Sequence, residues 1–360
     1  MDSGNCQLIF KFRFTISGRS GKLYGMKRGA YMSQERVYQA LRQAGEAYLS
    51  GQQLSAQLGI TRAAVWKAVE GLRRQGCVIE AKAGAGYRLR QGCDRLTAQI
   101  VAAALSAPRD RWQVLAEVDS TNSACRRLAL EGAPDGTVVM ADCQTAGRGR
   151  RGRSFQSPRG LGLFLSVLWR PECTPQALLP LTALSAVAVC RAIEQVTGVR
   201  PQIKWPNDLV LQGRKLAGIL TELALESESG MVDHVVVGIG VNVHQQPQDF
   251  SPDVRRIATS LDSALQGSFD RAALAAAMMQ QLDILRREVM FRPELWLEEY
   301  RQACLNLGRR VRLVTEGNEE QVTAVGVDNQ FGLTVRHDDG RTETVRSGEV
   351  SVRGLYGYTE

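Results

Sequence analysis

The sequence predicts a multidomain α+β protein, on three observations made along the chain. Residues 33–92 show three short helical patterns and then two short strands, residues 93–303 mix apolar strands with helices, and residues 304–360 hold five short alternating strands. A chain of 360 residues is long enough for about two to three domains. We therefore expect a leader at 1–32 followed by three domains with these bounds.

The composition is that of an ordinary globular protein, with 44% hydrophobic and 23% charged residues. The 8 cysteines include no Cys-x-x-Cys pair and there are 3 histidines, which disfavours a fixed metal site or a disulfide framework. No uncharged apolar run in the sequence reaches the ~18 residues needed to cross a bilayer. These features predict a cytoplasmic protein with mostly free thiols, no fixed metal ion and no membrane partner.

The positive charge of the chain is concentrated in its first quarter. Residues 1–92 carry 15 Lys and Arg against 5 Asp and Glu, whereas residues 93–360 carry 30 against 32. The net charge is therefore +10 in the first part and −2 in the second. Such an excess in one part of a protein favours contact with a polyanion such as DNA.

The leader at residues 1–32 is basic and rich in glycine. Its apolar stretch Leu8–Ile16 is interrupted by two basic residues, unlike the apolar region of a secretory signal. An organellar presequence and a start of translation at Met26 or Met32 are the alternatives for this segment. We assign no function to it.

Residues 33–92 predict a winged helix-turn-helix. The second helical pattern follows Ser50, with a glutamine three residues later at the spacing of a capping box, and the third follows Thr61 as its N-cap. A glycine ends each of these patterns. The segments Val78–Lys82 and Tyr87–Arg90 then predict the two strands of the wing.

The third helix of this domain is the predicted DNA-reading element. If Val65, Val69 and Leu72 face the core, the helical period turns small and basic side chains outward. Small side chains allow a close approach to the major groove, and basic ones reach bases and phosphates. The predicted DNA-binding residues are Arg62, Ala63, Trp66, Lys67, Lys82 and Arg88. A protein-docking module is the alternative, and the charge distribution favours DNA.

Four clusters of polar residues and glycines mark the central domain. They are Val118–Asn122, Gln144–Arg153, Lys204–Asp208 with Arg214–Leu220, and Val235–Val243. The first cluster either caps a helix or binds a polar ligand group at the helix N-terminus. In the fourth, glycines alternate within an apolar strand, which indicates a close approach of a ligand or another chain segment.

The second and third clusters carry the strongest signs of an anionic ligand. Arginines alternate with glycines over 147–153, so the backbone can approach a ligand while guanidinium groups gather around phosphate. Because this run follows a predicted strand, a ligand loop is favoured over a flexible nucleic-acid segment. Lys215 stands at the edge of an apolar strand, either as a solvated charge or as a cation that meets developing negative charge.

In this order, the four clusters closely resemble those of the biotin protein ligase family. With the winged helix in front of them, they resemble its bifunctional members, which ligate biotin and also repress biotin synthesis. The resemblance extends from Ser33 to Gly354, and the runs 144–153, 204–208 and 214–220 are its most specific parts. It implies that the central domain is a mixed α/β catalytic domain of the biotin/lipoate ligase type.

The resemblance implies both an activity and a regulatory role. Biotin would be activated with ATP and Mg²⁺ to biotinyl-5′-AMP and passed to one lysine of the biotin carboxyl carrier protein of acetyl-CoA carboxylase. With biotinyl-5′-AMP bound as corepressor, the protein would form a homodimer and bind operator DNA. The alternatives are a ligase whose winged helix does not repress and a transcription factor that only senses its ligand.

The same resemblance implies the residues of the site. The implied biotin-binding residues are Ser120, Thr121, Asn122, Gln144, Arg148, Gly149, Arg150, Lys215, Gly218 and Leu220. The implied nucleotide-binding residues are Arg150, Arg151, Phe155, Asn207, Asp208, Asn242 and Arg353. Lys215 and Arg148 are the implied catalytic residues, and Mg²⁺ would arrive with ATP near Asp208, so that together they neutralise charge growing on the phosphate.

Phe155 is a departure from the family pattern. The family commonly carries tryptophan at this position, close to where adenine stacks. A phenyl ring can also stack, so we expect the nucleotide site to be retained with an altered affinity for ATP.

The last 50 or so residues predict an SH3-like β-barrel, since short alternating strands are separated there by turns such as Asp339-Gly340. The resemblance implies that this barrel is the C-terminal cap of the ligase. In that cap, Arg353 would approach the nucleotide and Glu349 would tie the cap to the catalytic domain. Surface charge at strand ends is the alternative for both residues.

Overall fold

The computed structural model describes residues 33–34, 36–74, 77–91, 94–315, 318–346 and 349–351. The leader at 1–32 and Arg353 lie outside these residues, so the predictions made for them are not addressed by the structure. The chain divides into two compact units, Met1–Cys93 and Asp94–Glu360.

The first unit is a helix-turn-helix followed by a hairpin, as predicted. Its described elements are α1 (36–43), α2 (Gly51–Leu58), α3 (Arg62–Arg74), β1 (Val78–Lys82) and β2 (Gly86–Gln91), with β1 and β2 antiparallel. The capping box at Ser50 is confirmed, because its hydroxyl accepts from the Gln53 amide and the Gln53 side chain accepts from the Ser50 amide. Val65, Val69 and Leu72 are fully buried, which confirms the inward face of α3.

The second unit is built on a seven-stranded sheet with the order β3-β4-β5-β9-β8-β7-β6. The strands are β3 (Trp112–Leu115), β4 (Thr137–Ala141), β5 (Gly162–Trp169), β6 (Gln202–Lys204), β7 (Asp208–Leu211), β8 (Arg214–Leu225) and β9 (Val232–Asn242). The pair β3 and β4 is parallel, and the other pairs are antiparallel. This mixture confirms the predicted mixed α/β central domain.

Helices cover the sheet and connect its strands. The α-helices are α4 (Ala98–Ala104), α5 (Thr121–Leu130), α6 (Leu181–Thr197), α7 (Pro252–Arg255), α8 (Leu261–Leu265), α9 (Arg271–Ile284) and α10 (Glu294–Ala303). Short 3₁₀ turns occupy Arg150–Gly152, Pro175–Leu178 and Pro247–Asp249, and α9 runs on into a π-helical turn at Leu285–Val289.

The two faces of the sheet differ in what they bury. Because side chains alternate along a strand, Leu165 and Val167 of β5 pack into the large core with α6 and α9, whereas Leu168 packs beneath α5. On β9, Val237 belongs to the large core and Val236 lies beneath α5. Positions 238 and 240 therefore lie on the α5 face of the sheet, and both are glycines without a side chain.

Among the described residues, the segment Pro175–Thr197 is long and apolar enough to cross a membrane by length and composition. Its apolar window is 72% buried inside the fold, and α6 contributes a row of fully buried residues to the large core. The segment therefore serves as the central core helix of the second unit.

The C-terminal strands form an antiparallel five-stranded sheet with the order β13-β12-β11-β10-β14. These strands are β10 (Arg310–Thr315), β11 (Asn318–Val327), β12 (Leu333–Arg336), β13 (Thr342–Val345) and β14 (Glu349–Ser351). The sheet is joined to the central domain, since the Trp205 indole donates to the Phe331 carbonyl at 2.9 Å and the Leu305 amide donates to the Ile203 carbonyl at 2.9 Å. Its apolar residues belong to the same core as α6 and α9.

The cysteines agree with the predicted free thiols at most described positions. Cys125, Cys143, Cys173, Cys190 and Cys304 are free, and burial raises the pKa of Cys125 and Cys190 to about 12, as expected of inert thiols. Cys77 is the exception among the described cysteines, since it is disulfide-bonded.

Candidate functional site

The four clusters predicted from the sequence meet at one cleft of the second unit, which has a volume of about 640 Å³. The predicted ligand-binding residues that line it are Ser120, Thr121, Asn122, Gln144, Arg148, Gly149, Arg150, Arg151, Phe155, Asn207, Asp208, Lys215, Gly218, Leu220 and Asn242. Arg353 lies outside the described residues. The structure thus brings together every other residue predicted for biotin or the nucleotide.

Alternating glycines on β9 form the floor of the cleft. A Cβ atom at Gly238 would lie 1.8 Å from the Asn122 side-chain oxygen, and one at Gly240 would lie 2.6 Å from the Phe155 ring. Gly240 pairs in the sheet with another glycine, Gly218 of β8. The alternation of glycines therefore has a steric cause, since side chains from other elements occupy the space in which a Cβ atom would stand.

One wall of the cleft is a network of neutral polar groups at the start of α5. The Gln144 side-chain oxygen accepts from the Thr121 amide at 2.8 Å and from the Thr121 hydroxyl at 3.1 Å, and its Nε2 donates to Ser157. Ser120 precedes α5 but makes no side-chain capping bond. The view that these residues simply cap the helix therefore does not account for Ser120, which lies buried at the cleft.

Asn122 is fixed from three sides within the same wall. Its Nδ2 donates to the Glu222 carboxylate at 2.8 Å and to the Leu220 carbonyl at 3.3 Å. The Ser166 hydroxyl lies 2.6 Å from the Asn122 side-chain oxygen and 2.7 Å from the Thr121 hydroxyl. Hydrogen bonds among the protein's own groups therefore hold this wall together.

The arginine-glycine run forms a tight loop with its own backbone bonds. The Gly149 amide donates to the Arg153 carbonyl at 2.7 Å, and Arg151 has a left-handed backbone with φ of 55°. Two guanidinium groups reach back to the cleft wall, where Arg148 donates to the Ser123 hydroxyl and Arg150 donates to the Asn207 side-chain oxygen at 3.1 Å. This bonding fits a ligand loop better than a flexible nucleic-acid segment.

Lys215 holds an ion pair at the cleft. Its Nζ lies 2.7 Å from Asp208 Oδ1, and about a quarter of its side chain is exposed. Its backbone is bonded on both sides to the segment after β9, through the Ile257 carbonyl and the Thr259 amide. Lys215 is thus a positioned cation with an anionic partner rather than a solvated charge at a strand end.

Asn242 and Asn207 support the wall of the cleft with their amide groups. Asn242 donates to the Thr259 carbonyl at 3.0 Å and accepts from Gln245 at 3.2 Å, and Asn207 donates to the Ile219 carbonyl at 3.0 Å. Both residues were predicted to face the nucleotide. They do line the cleft, but these bonds also tie the neighbouring segments together.

Several residues of the cleft were not predicted from the sequence. Arg312 and Val314 reach it from β10 of the C-terminal sheet, and Phe250, Ser251, Asp253, Val254, Ile257 and Ala258 reach it from the segment after β9. Lys204 and Trp205 belong to a cluster that was singled out, although no role was given to them. The alternating pattern of β10 predicts a strand but carries no sign of the surface on which that strand packs.

In the first unit, the outer face of α3 is open as predicted. Arg62, Ala63 and Lys67 are exposed, and 56% of Trp66 is exposed. Lys82 on the wing is exposed as well. These side chains are accessible for contact with another molecule.

Arg88 differs from the other residues predicted to bind DNA. Its guanidinium pairs with Glu46 at 3.1 Å and Glu80 at 2.8 Å, and it lies 4.5 Å from the centre of the Tyr48 ring. Hydrogen bonds from the Tyr48 hydroxyl and from Arg88 lower the pKa of Glu80 to about 2. In the described structure, Arg88 therefore links the wing to Glu46 and Glu80, and its contact with DNA stays a prediction.

Two residues after Asn242, His244 lies between two carboxylates. Its Nε2 is 2.6 Å from Asp94 Oδ2, and its Nδ1 is 2.7 Å from Asp262 Oδ2. Asp94 also accepts from the fully buried Arg271 at 3.0 Å. Burial lowers the pKa of His244, but the hydrogen bonds to both carboxylates outweigh it, so the net shift is upward. The imidazolium form is therefore the one that the fold stabilises.

We expect His244→Asn to lower the free energy of unfolding by about 2 kcal/mol near pH 6, because two charge-assisted hydrogen bonds are lost. A raised pKa in the folded state stabilises the fold fully below the unfolded pKa of 6.5, and the stabilisation disappears as the pH rises through the folded pKa. The difference between wild type and variant should therefore shrink from pH 6 to pH 9. Urea unfolding at both values measures it, and an equal difference at both would contradict the assignment.

Comparison with known proteins agrees with this architecture. A model of the Biotin/lipoate A/B protein ligase family matches residues 114–242, an HTH domain matches residues 33–88, and the Biotin protein ligase C terminal domain matches residues 307–353. The fold and the cleft thus define a protein ligase of the biotin/lipoate class that carries a helix-turn-helix domain.

Individual relatives narrow this class. The bifunctional ligase/repressor BirA of Bacillus subtilis is 37% identical over 304 residues, which cover 83% of this chain and 92% of that protein. The bifunctional ligase/repressor BirA of Escherichia coli is 31% identical over 314 residues, which cover 86% and 94%. A biotin protein ligase from Aquifex aeolicus, solved in complex with biotin and ATP, matches 68% of this chain and 98% of that chain with a TM-score of 0.57 and 29% identity. The chain belongs to the family of bifunctional biotin protein ligases and repressors.

Proposed function

We propose that this protein activates biotin with ATP to biotinyl-5′-AMP and transfers the biotin to a lysine of a biotin carboxyl carrier protein. We further propose that, with biotinyl-5′-AMP bound as corepressor, it forms a homodimer and represses biotin synthesis from operator DNA. The observation that carries the ligase proposal is the cleft itself, where a positioned Lys215 and two loop arginines face a neutral polar wall.

The chemistry needs positive charge more than it needs a nucleophilic side chain. A biotin carboxylate oxygen attacks the α-phosphorus of ATP, the bond to the β-phosphate breaks, and pyrophosphate leaves. Two anions must meet in this step, and Lys215 with Arg148 supplies the charge that offsets their repulsion. The neutral network around Thr121 and Gln144 suits the uncharged, hydrogen-bonding end of biotin.

The second step transfers the acyl group. The lysine amine of the carrier attacks the carbonyl carbon of the mixed anhydride, the bond to the phosphate oxygen breaks, and AMP leaves. Water could attack the same carbon, so the site must exclude it during the wait for the carrier. We assign this role to the loop at Gly147–Arg153, whose backbone bonds let it cover the ligand as a unit.

The nucleotide end of the cleft lies around Phe155. Its ring stands over Gly240 and meets Phe164 edge-on, with ring centres 6.3 Å apart, so one face is positioned for stacking on a base. We propose that Arg150, Arg151, Asn207, Asp208, Asn242 and Arg353 complete the nucleotide site. Mg²⁺ would enter with ATP, held chiefly by phosphate oxygens, with Asp208 as a nearby carboxylate.

We propose domain bounds of 33–92, 93–303 and 304–360, an SH3-like closure of the C-terminal sheet, a cytoplasmic location and no membrane partner. Glu349, at the start of β14, would tie this last domain to the catalytic one.

The test is a gel-shift experiment on the biotin-synthesis promoter of the source genome, with and without biotin and MgATP, alongside pyrophosphate release in the same sample. Release with ligand-dependent DNA binding supports both proposals. Release without DNA binding indicates a ligase whose winged helix does not repress, and DNA binding without release indicates a sensor.

The same assay tests the exposed face of α3. We expect Lys67→Ala to weaken operator binding several-fold and to reduce the dependence of affinity on salt by about one released ion, because a phosphate contact is lost. Arg42→Ala is the matched control, since it removes the same charge from an exposed position on α1. If both variants bind like the wild type, α3 does not contact the phosphates through Lys67.

A further inference from the structure

Glu222 lies between the polar wall at the start of α5, which we call the biotin wall, and the arginine-glycine loop at 147–153. It lies on β8, two residues after Leu220, and about a quarter of its side chain is exposed. One carboxylate oxygen accepts from Asn122 Nδ2 at 2.8 Å. The other lies 3.8 Å from Arg148 Nη1 and 3.5 Å from Arg126 Nη1.

We propose that Glu222 is a positioning residue of the ligase cleft, which fixes Asn122 through one carboxylate oxygen and holds Arg148 at its resting position through the other. This inference rests on the proposed ligase function and adds to it a carboxylate that sequence reasoning had not singled out.

The bond to Asn122 sets the direction of the side-chain amide. An amide has a donor end and an acceptor end, and Ser166 lies at the oxygen. Glu222 and the Leu220 carbonyl accept at the nitrogen. An ionised carboxylate cannot donate, so Glu222 prevents the amide from turning over. Protein groups alone thereby fix which end of the Asn122 amide is the acceptor and which is the donor.

The contact with Arg148 has a different character. At 3.8 Å, and with 38% of the Arg148 side chain exposed, the ion pair is weak and screened by solvent. An anionic ligand in the cleft can therefore compete with Glu222 for the guanidinium. Arg148 also donates to the Ser123 hydroxyl. Glu222 and Ser123 together thus keep Arg148 close to the cleft until a carboxylate or phosphate takes the place of Glu222.

Two substitutions separate these roles. Glu222→Gln retains an oxygen that can accept from Asn122 but loses the negative charge, whereas Glu222→Ala loses both. Glu228→Gln is the matched control, because it removes the same charge from an exposed position after β8. Arg126→Ala tests whether the exposed neighbour of Glu222 contributes.

The first measurement is pyrophosphate release with biotin and ATP varied independently. We expect Glu222→Ala to raise the KM for biotin about 10-fold, as the loss of one hydrogen bond to a charged group predicts, with the KM for ATP little changed. Glu222→Gln should recover most of that loss. Glu228→Gln and Arg126→Ala should match the wild type.

The second measurement needs no ligand and no activity. In limited trypsin digestion of the protein without ligand, the rate of cleavage after Arg148 reports how firmly the loop is held in place. Cleavage after Arg148 should be several-fold faster in Glu222→Gln and Glu222→Ala, and unchanged in Glu228→Gln.

An unchanged KM for biotin in Glu222→Ala, or cleavage at the wild-type rate in both Glu222 variants, would overturn the proposal. So would an equal rise of both KM values with a lower melting temperature, since that result indicates a general structural role. If the wild-type protein releases no pyrophosphate, the proposed function is wrong, and the digestion still decides whether Glu222 holds Arg148.

Discussion

Lys215→Ala should slow the formation of biotinyl-5′-AMP by roughly 10²–10³-fold while the fold remains intact, which is the effect typical of losing one group that stabilises developing charge. The Nζ of Lys215 is 2.7 Å from Asp208 at the cleft, so its removal also leaves a carboxylate without that partner where two anionic substrates must meet. Both effects raise the barrier to the first step.

The fold should tolerate the change because the backbone of Lys215 is held independently of its side chain. The Ile257 carbonyl and the Thr259 amide bond to it on either side. Arg214→Ala is the matched control, as the preceding residue on the same strand is basic and exposed. Pyrophosphate release measures the rate, and far-ultraviolet circular dichroism with a melting curve checks the fold. A rate within about twofold of the wild type would exclude Lys215 from the reacting centre.

Gly238→Ala should weaken biotin binding by about 10²-fold, because the new methyl group needs the space of the Asn122 amide. Its Cβ would lie 1.8 Å from the Asn122 side-chain oxygen. Asn122 cannot simply turn away, since Ser166, Glu222 and the Leu220 carbonyl hold it from three sides. Displacement would cost several hydrogen bonds at about 1 kcal/mol or more each.

The same substitution should lower the free energy of unfolding by about 1–3 kcal/mol, as expected for overpacking. Gly326→Ala is the control, because its Cβ would lie 3.8 Å from the nearest Thr334 atom, an ordinary contact in another strand. Titration calorimetry with biotin measures the affinity, and urea unfolding measures the stability. Biotin affinity equal to that of the wild type would show that Asn122 does not contribute to the biotin wall.

Much of the local structure could be predicted because its signals lie in neighbouring residues. The capping box at Ser50, the inward face of α3 and the strands after residue 310 all follow from short patterns in the chain. The glycines at 238 and 240 also predicted a close approach at that strand. What approaches them could not be predicted, since Asn122 and Phe155 come from distant parts of the chain.

The contacts that the sequence did not predict are those in which a side chain meets a partner far away in the chain. The position of Arg88 on the wing predicts a phosphate contact but does not predict its ion pair with Glu46, which lies 42 residues earlier. The sequence predicts only that Arg312 lies on a strand. Its position at the cleft follows from the packing of the C-terminal sheet on the central domain. Such pairings depend on strand order and register, which no single stretch of sequence encodes.

The bonding of the C-terminal sheet to the central domain bears on how this chain could have been assembled in evolution. The indole of Trp205 donates to Phe331, the ring of Tyr300 meets that of Phe331 with centres 5.1 Å apart, and apolar residues of the sheet share the core of α6 and α9. An exchange of gene segments near residue 304 would therefore expose to water the apolar core that the C-terminal sheet shares with α6 and α9. Near residue 93, where the two compact units divide, a segment encoding a different DNA reader could be gained or lost while the second unit keeps its core.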